Sequence, residues 1–236
     1  MKNKLVCIGH RGAKGHEPEN TLLSIEKALE LGAEWVEVDV YFVDGQLIVI
    51  HDDTLGRTTN GSGPLGDKDI AYLRSLDAGK GQKIPLLDEV FDALKGKAGL
   101  NIELKGHDLV APIDRCIKEQ VRQGWRYEDI LVSSFNHRHL LHLKNLNPLL
   151  RIGALISGVP VDASEFARRL DCYSINSDLE YIDKVLVDDA HRLGLKVFVY
   201  TVNAPEDIKR MADIGVDGVF TDYPERVANR NTSAGQ

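Results

Sequence analysis

Three cysteines in 236 residues, Cys7, Cys116 and Cys172, are too widely spaced and odd in number for a disulfide framework. That scarcity fits a reducing compartment, and Cys7, inside an apolar run, reads as a small core residue. No stretch approaches the ~20 apolar residues that a membrane span requires. The run Leu5-Val6-Cys7-Ile8 is likewise too short for the apolar core of a signal peptide. A soluble, cytoplasmic protein without a membrane partner is therefore expected. Positive charge is in deficit too. The formal net charge of −7 argues against nucleic acid, whose phosphates need a clustered cationic surface. No internal repeat stands out, and the body of the chain has no low-complexity segment. What remains is 43% hydrophobic, enough for one large core, so residues 1–236 are read as a single catalytic domain.

Strand-like apolar runs recur at 5–9, 35–43, 46–51, 100–105, 130–134, 151–156, 172–176, 196–202 and 218–221. Helical patterns alternate with most of them. Residues 21–31 place Leu22, Ile25 and Leu29 on one face, with Asn20 as N-cap and Gly32 just beyond the end. Two later helices, at 181–193 and 205–214, stop at Gly194 and Gly215. Alternation of β and α elements implies a parallel sheet. The third run has a local explanation. Val43-Asp44-Gly45-Gln46 is a hairpin signal, so 46–51 returns antiparallel to the second strand and the other eight runs close a (β/α)₈ TIM barrel. A three-residue turn with a bulge, pairing Asp39 with His51, is expected because a two-residue turn sends the imidazole to the opposite face. Residues 52–97 form an insertion after this hairpin, with short helices at 67–76 and 87–94. A loop that long above strand ends suits a lid or binding element. The polar tail from Asn229 is expected to fray.

Side chains alternate along a strand, so Glu37 and Asp39 share one face, as do Glu103 and Lys105. Three carboxylates converging at strand ends repel one another unless a cation sits among them, and strand ends are where barrel enzymes gather catalytic residues. All-oxygen ligands favour a hard ion, Mg²⁺ or Ca²⁺; zinc through the histidines is the alternative. Of eight histidines, His10 and His51 each close a strand and precede a polar turn, where an imidazole can exchange protons at neutral pH. His16, His107, His137, His139, His142 and His191 read as solvated or capping residues. Arg11 offers a fork of donors matched to phosphate oxygens. Lys105 serves either as a second phosphate cation or as a Schiff-base lysine.

The strings His10-Arg11-Gly12, Pro18-Glu19-Asn20-Thr21, Glu37-Val38-Asp39-Val40, His51-Asp52, Arg57-Thr58-Thr59, Glu103-Leu104-Lys105, Ser133-Ser134-Phe135 and Tyr200-Thr201-Val202-Asn203 resemble, in order and spacing, the glycerophosphodiester phosphodiesterase family. Gly218-Val219-Phe220-Thr221-Asp222-Tyr223-Pro224 is similar to that family's closing strand, so the resemblance runs from about Leu5 to Pro224. It implies a TIM barrel with an insertion after the second strand. It also implies one divalent metal on Glu37, Asp39 and Glu103, with acid and base roles for His10 and His51. Tyr200 stands where the family often has tryptophan and keeps an aromatic wall for the substrate. The implied reaction is metal-dependent hydrolysis of a glycerophosphodiester to sn-glycerol 3-phosphate and an alcohol such as choline or ethanolamine. Arg11 and Lys105 would neutralise the phosphoryl oxygens. Sequence leaves open which histidine is the acid and whether the chain forms a homodimer. A phospholipase D- or C-like enzyme acting on lysolipids or phosphoinositol is the near rival, and a non-catalytic phospholigand-binding module the distant one.

Overall fold

The computed structural model describes residues 4–234. The strands are β1 (Val6–Gly9), β2 (Trp35–Val43), β3 (Gln46–Val49), β4 (Gly99–Leu104), β5 (Ile130–Ser134), β6 (Arg151–Ile156), β7 (Ser174–Asp178), β8 (Lys196–Tyr200) and β9 (Gly218–Thr221). The helices are α1 (Leu22–Glu30), α2 (Ile70–Ser75), α3 (Leu87–Leu94), α4 (Val110–Arg122), α5 (His137–Leu146), α6 (Glu165–Arg169), α7 (Lys184–Arg192), α8 (Pro205–Ile214) and α9 (Pro224–Ala234). Sheet order runs β1-β9-β8-β7-β6-β5-β4-β2, and β1 pairs with β2 to close eight parallel strands into a TIM barrel. β3 lies outside the ring, antiparallel to β2.

Apolar side chains explain the layers. Val36, Val38, Ile102 and Val132 alternate outward from the strands and are buried beneath helices that contribute Ile25, Phe91 and Ile113. A smaller cluster of Ile8, Leu131, Phe198 and Phe220 occupies the barrel interior. Each such burial contributes roughly 1.5–3 kcal/mol relative to exposure. The segment between β3 and β4 has its own small core, in which Leu55, Leu65, Leu73 and Ile84 close over Ile48 and Ile50. All three cysteines are free, and burial pushes the Cys7 and Cys172 thiols up to about 12, which leaves both inert at neutral pH. No helix among the described residues is long and apolar enough to cross a membrane.

Several local expectations need correction. The β2–β3 turn has two residues, not three: Val43 pairs with Gln46 and Val40 with Val49, so Asp39 does not face His51. Asp44 (φ 49°) and Gly45 (φ 78°) both adopt positive φ, the backbone whose twist matches a two-residue hairpin. His51 escapes the consequence because β3 ends at Val49 and the chain leaves the ladder before the imidazole is placed. Asn20 is not the cap of α1. Thr21 is, its side chain accepting from the Ser24 amide, while Asn20 turns inward to a buried carboxylate. The helix expected at 181–193 begins at Lys184, where the Asp183 side chain caps it. Residues 229–234 of the tail are helical, as the end of α9, and Asn231 ties them down by accepting from the Leu5 amide at 3.1 Å and donating to the Leu5 carbonyl at 2.8 Å; residues 235–236 lie outside the described residues.

Candidate active site

At the C-terminal mouth, the register sets Asp39 on β2 beside Glu103 on β4, and Glu37 beside Asn101. One oxygen from each of Glu37, Asp39 and Glu103 lies within 4.8 Å of the other two. Glu37 and Asp39 are 2% and 1% exposed, so water does little to soften their repulsion. Burial first, and then the charges of Asp39 and Glu103, push the Glu37 carboxyl well above its ordinary range. Burial and Asp39 raise Glu103 to about 7 against the opposing charge of Lys105.

These carboxylates are only partly answered by the protein. Glu37 Oε2 accepts from the Arg11 amide at 2.8 Å, but its Oε1 is buried with no donor. Asp39 Oδ2 accepts from Asn20 Nδ2 at 2.8 Å and lies 3.2 Å from Arg11 Nε. Asp39 Oδ1 has the Lys105 ammonium 3.3 Å away, and Lys105 also pairs with Glu103. A buried oxygen without a donor beside two other carboxylates is the environment a hard divalent ion would relieve. The residues present fit such an ion. No histidine or cysteine joins the cluster among the described residues, which removes the geometric support for zinc. Burial lowers the Lys105 pKa less than Asp39 and Glu103 raise it, so the amine stays protonated and is poorly suited to a Schiff base.

The two histidines are each held by an aspartate. His10 Nδ1 is 2.7 Å from Asp222 Oδ1, and Asn203 Nδ2 donates to the other Asp222 oxygen at 2.8 Å. A carboxylate only accepts, so Nδ1 carries the proton and Nε2 is left as the lone-pair nitrogen. Burial lowers the His10 pKa more than Asp222 restores it, leaving a neutral base. Burial opposes the Asp222 carboxylate, but the bonds from His10 and Asn203 hold its pKa below the usual range. His51 Nδ1 lies 2.6 Å from Asp52 Oδ1. Asp52 also binds Arg57, Arg57 binds Glu19, and Glu19 Oε1 accepts from Arg11 at 2.8 Å. One chain of alternating charge thus links the loop after β3 to the loop after β1. Burial works against the Glu19 carboxyl, yet Arg57 and Arg11 bring it down to about 2.

The arginine turn itself depends on glycine. Gly12 has φ 82°, and a Cβ there would lie 2.3 Å from Ser24 Oγ. Ser24 Oγ also donates to the Arg11 carbonyl at 2.9 Å. Arg11 (φ 51°) can therefore fold over α1 with its amide on Glu37 and its guanidinium toward Asp39 and Glu19.

His10, Arg11, Glu37, His51, Glu103, Lys105 and Tyr200 line one cavity of about 210 Å³, and Asp39 is buried against Arg11 and Lys105. All eight sequence-derived site residues therefore come together. The Tyr200 hydroxyl donates to the Ile156 carbonyl at 2.8 Å, so its ring, not its oxygen, faces the cavity beside Phe135 and Phe220. Sequence reasoning assigned no role to Asp222, Glu19 or Asn203, and gave Asn20 only that of a helix cap. Each lay inside one of the motif strings, which was the available signal. His16, His137 and His191 are engaged elsewhere, with Glu225, the Leu155 carbonyl and Asp217.

Acids, cations and two imidazoles at the C-terminal mouth of a closed parallel barrel define a barrel enzyme that works on a small anionic group. Residues 10–226 match the Glycerophosphoryl diester phosphodiesterase family, and the chain belongs to that family. It is 38% identical to a glycerophosphodiester phosphodiesterase of Caldanaerobacter subterraneus subsp. tengcongensis, across 96% of this chain and 97% of the relative. It is 34% identical to one from Bacillus altitudinis, over 93% of this chain and 95% of that one. Among solved structures, an Oleispira antarctica phosphodiesterase in complex with the product sn-glycerol-3-phosphate superposes with a TM-score of 0.87 at 35% identity, covering 94% of each chain.

Proposed function

We propose that residues 1–236 act as one catalytic domain, set in the cytoplasm, that hydrolyses glycerophosphodiesters to sn-glycerol 3-phosphate and a free alcohol. Glu37, Asp39 and Glu103 hold one divalent cation, Mg²⁺ or Ca²⁺. The observation that carries this reading is the set of three carboxylates within 4.8 Å, two of them buried and one of their oxygens without a donor, in a cavity flanked by two histidine–aspartate pairs. The product bound by the Oleispira antarctica relative supports the glycerol phosphate half of the substrate. When bound, the cation would supply Lewis-acid polarisation of the phosphoryl group.

The chain's own side chains do the rest. Arg11 and Lys105 line the cavity and neutralise the non-bridging oxygens as charge develops. The ring faces of Tyr200 and Phe220 cover the carbon skeleton of glycerol. The substrate's own 2-hydroxyl, held near phosphorus, is the nucleophile; such proximity corresponds to effective molarities of roughly 10⁵ M or more. His10, neutral and oriented by Asp222, takes that hydroxyl's proton at Nε2. The bond from phosphorus to the headgroup oxygen breaks. His51, oriented by Asp52 at the outer rim, delivers a proton to the departing oxygen. Water then opens the 1,2-cyclic phosphate: one of its protons passes to His51, its OH stays on phosphorus, and His10 returns to the 2-oxygen the proton it took in the first step.

Phosphorus NMR of a glycerophosphocholine digest tests the reaction directly, with sn-glycerol 3-phosphate and choline as the expected products. Lysolipids and vesicle-bound phospholipids should turn over far more slowly; the reverse order would make this a phospholipase D-like enzyme. An analogue lacking the 2-hydroxyl should bind and remain intact. Its cleavage at the normal rate would mean that water attacks phosphorus directly.

A further inference from the structure

A cavity of about 210 Å³ is smaller than the roughly 300–1,000 Å³ of sites that enclose a whole small ligand. On the reading above, it takes the glycerol phosphate, and the alcohol half of the diester must extend beyond it. A second cavity of about 580 Å³ adjoins it, sharing Glu103, Lys105 and Phe135. Its walls come from the end of β2, the segment after β3, the loop after β4 and the start of α5, so it opens on the same mouth of the barrel.

The lining has a definite chemistry. Asp53 stands exposed on the wall, and its carboxylate has no cationic partner among the described residues. Tyr41 lines the same cavity as Asp53. The Tyr41 ring is pinned: its hydroxyl donates to the His51 carbonyl at 3.3 Å, and a Cβ on Gly106 would meet Cδ1 at 2.9 Å. Phe135 is 52% exposed and meets Tyr200 edge-on at 6.0 Å, so its ring is open to a ligand. Lys105 is already engaged by Asp39 and Glu103. Burial and the nearby His107 and His142 hold His139 toward its neutral form, so that wall does not offset Asp53. An unpaired carboxylate lining the same cavity as two aromatic rings is complementary to a soft organic cation.

We propose that this second cavity receives the alcohol half of the diester and selects for an alkylammonium group, held by Asp53 against the rings of Tyr41 and Phe135. The inference rests on the glycerophosphodiester reading and assigns the headgroup preference within it. It also orients the reaction, because Tyr41 ties this wall to the residue that protonates the departing oxygen.

The test compares kcat/KM for glycerophosphocholine with that for the glycerophosphoryl ester of 3,3-dimethylbutanol, its uncharged isostere. Wild type should favour the choline ester by about tenfold at low ionic strength. Asp53→Lys should abolish or reverse that preference, and Phe135→Leu, at an exposed site where folding is not at risk, should reduce it. Equal values for the two esters with wild type, or a preference that survives Asp53→Lys, would overturn the cavity's role while leaving the diesterase intact. If neither ester releases sn-glycerol 3-phosphate, the underlying reading fails as well.

Discussion

At their N-terminal ends, β2 and β4 touch so closely that a Cβ on Gly99 would lie 2.4 Å from the Trp35 ring. A few residues further along, the same two strands hold three carboxylates within 4.8 Å of one another. The first end is arranged for packing, with a tryptophan laid on a residue that has no side chain. The second concentrates repelling charge in a buried place and answers it incompletely. Even the cavity of about 520 Å³ beside Trp35 and Gly99 is lined by ordinary surface groups, such as Lys95, Lys97 and Arg126, and gathers no cluster of acids. One pair of strands thus separates what stabilises the barrel from what makes it reactive, a division common where an active site is built at some cost to stability.

Breaking the acidic end should have the largest effect. Asp39→Ala or Glu103→Ala should lower turnover of glycerophosphocholine by orders of magnitude while circular dichroism stays native. Glu37→Gln removes a carboxyl whose ionisation the site resists, so its thermal midpoint should hold or rise even as activity falls. A loss of fold in these variants would mean that the carboxylates are structural.

The imidazoles come next. His10→Ala and His51→Ala should each reduce kcat by about 10²-fold or more, the usual contribution of a positioned acid or base. Asp222→Asn should cost less than His10→Ala, since it disturbs only the ring's orientation and proton placement.

Gly99→Ala sharpens the contrast from the opposite end. Crowding against Trp35 should destabilise the protein by ~1–3 kcal/mol in urea unfolding, with kcat/KM nearly unchanged. A large change in kcat/KM would show that the two ends are coupled.

The smallest effect concerns the charge chain that joins the loops. Glu19 has a depressed pKa in the folded protein, so its stabilising contribution is complete above the unfolded value near 4.5 and is lost as pH falls through about 2. The shift corresponds to roughly 3 kcal/mol as an upper figure. The stability gap between wild type and Glu19→Gln should therefore be constant at neutral pH and shrink between pH 5 and 2. A gap independent of pH would assign the effect to packing.

Sequence periodicity was enough for the barrel, because eight apolar runs alternating with helices leave few other arrangements. The three carboxylates and Lys105 were legible because strand alternation puts Glu37 with Asp39 and Glu103 with Lys105 on one face; Arg11, in the turn after β1, was read from its residue type and motif. His51 was placed by the wrong argument. A bulged hairpin was expected to carry it inward, whereas the Asp44-Gly45 turn keeps the flatter register and the loop beyond Val49 delivers it. Asp222 and Glu19 were hidden because their partners, His10 and Arg57, are distant in sequence. Asn20 was misread since a polar residue before a helix usually caps it; the buried oxygen of Asp39 needed that amide more.

The central claim is that Glu37, Asp39 and Glu103 hold a divalent cation that the reaction requires. It is tested most directly by following sn-glycerol 3-phosphate release after exhaustive chelation and stepwise addition of Mg²⁺ or Ca²⁺. The account predicts that release stops in chelator and returns saturably, with one ion bound per chain; an undiminished rate in the chelated enzyme would contradict it.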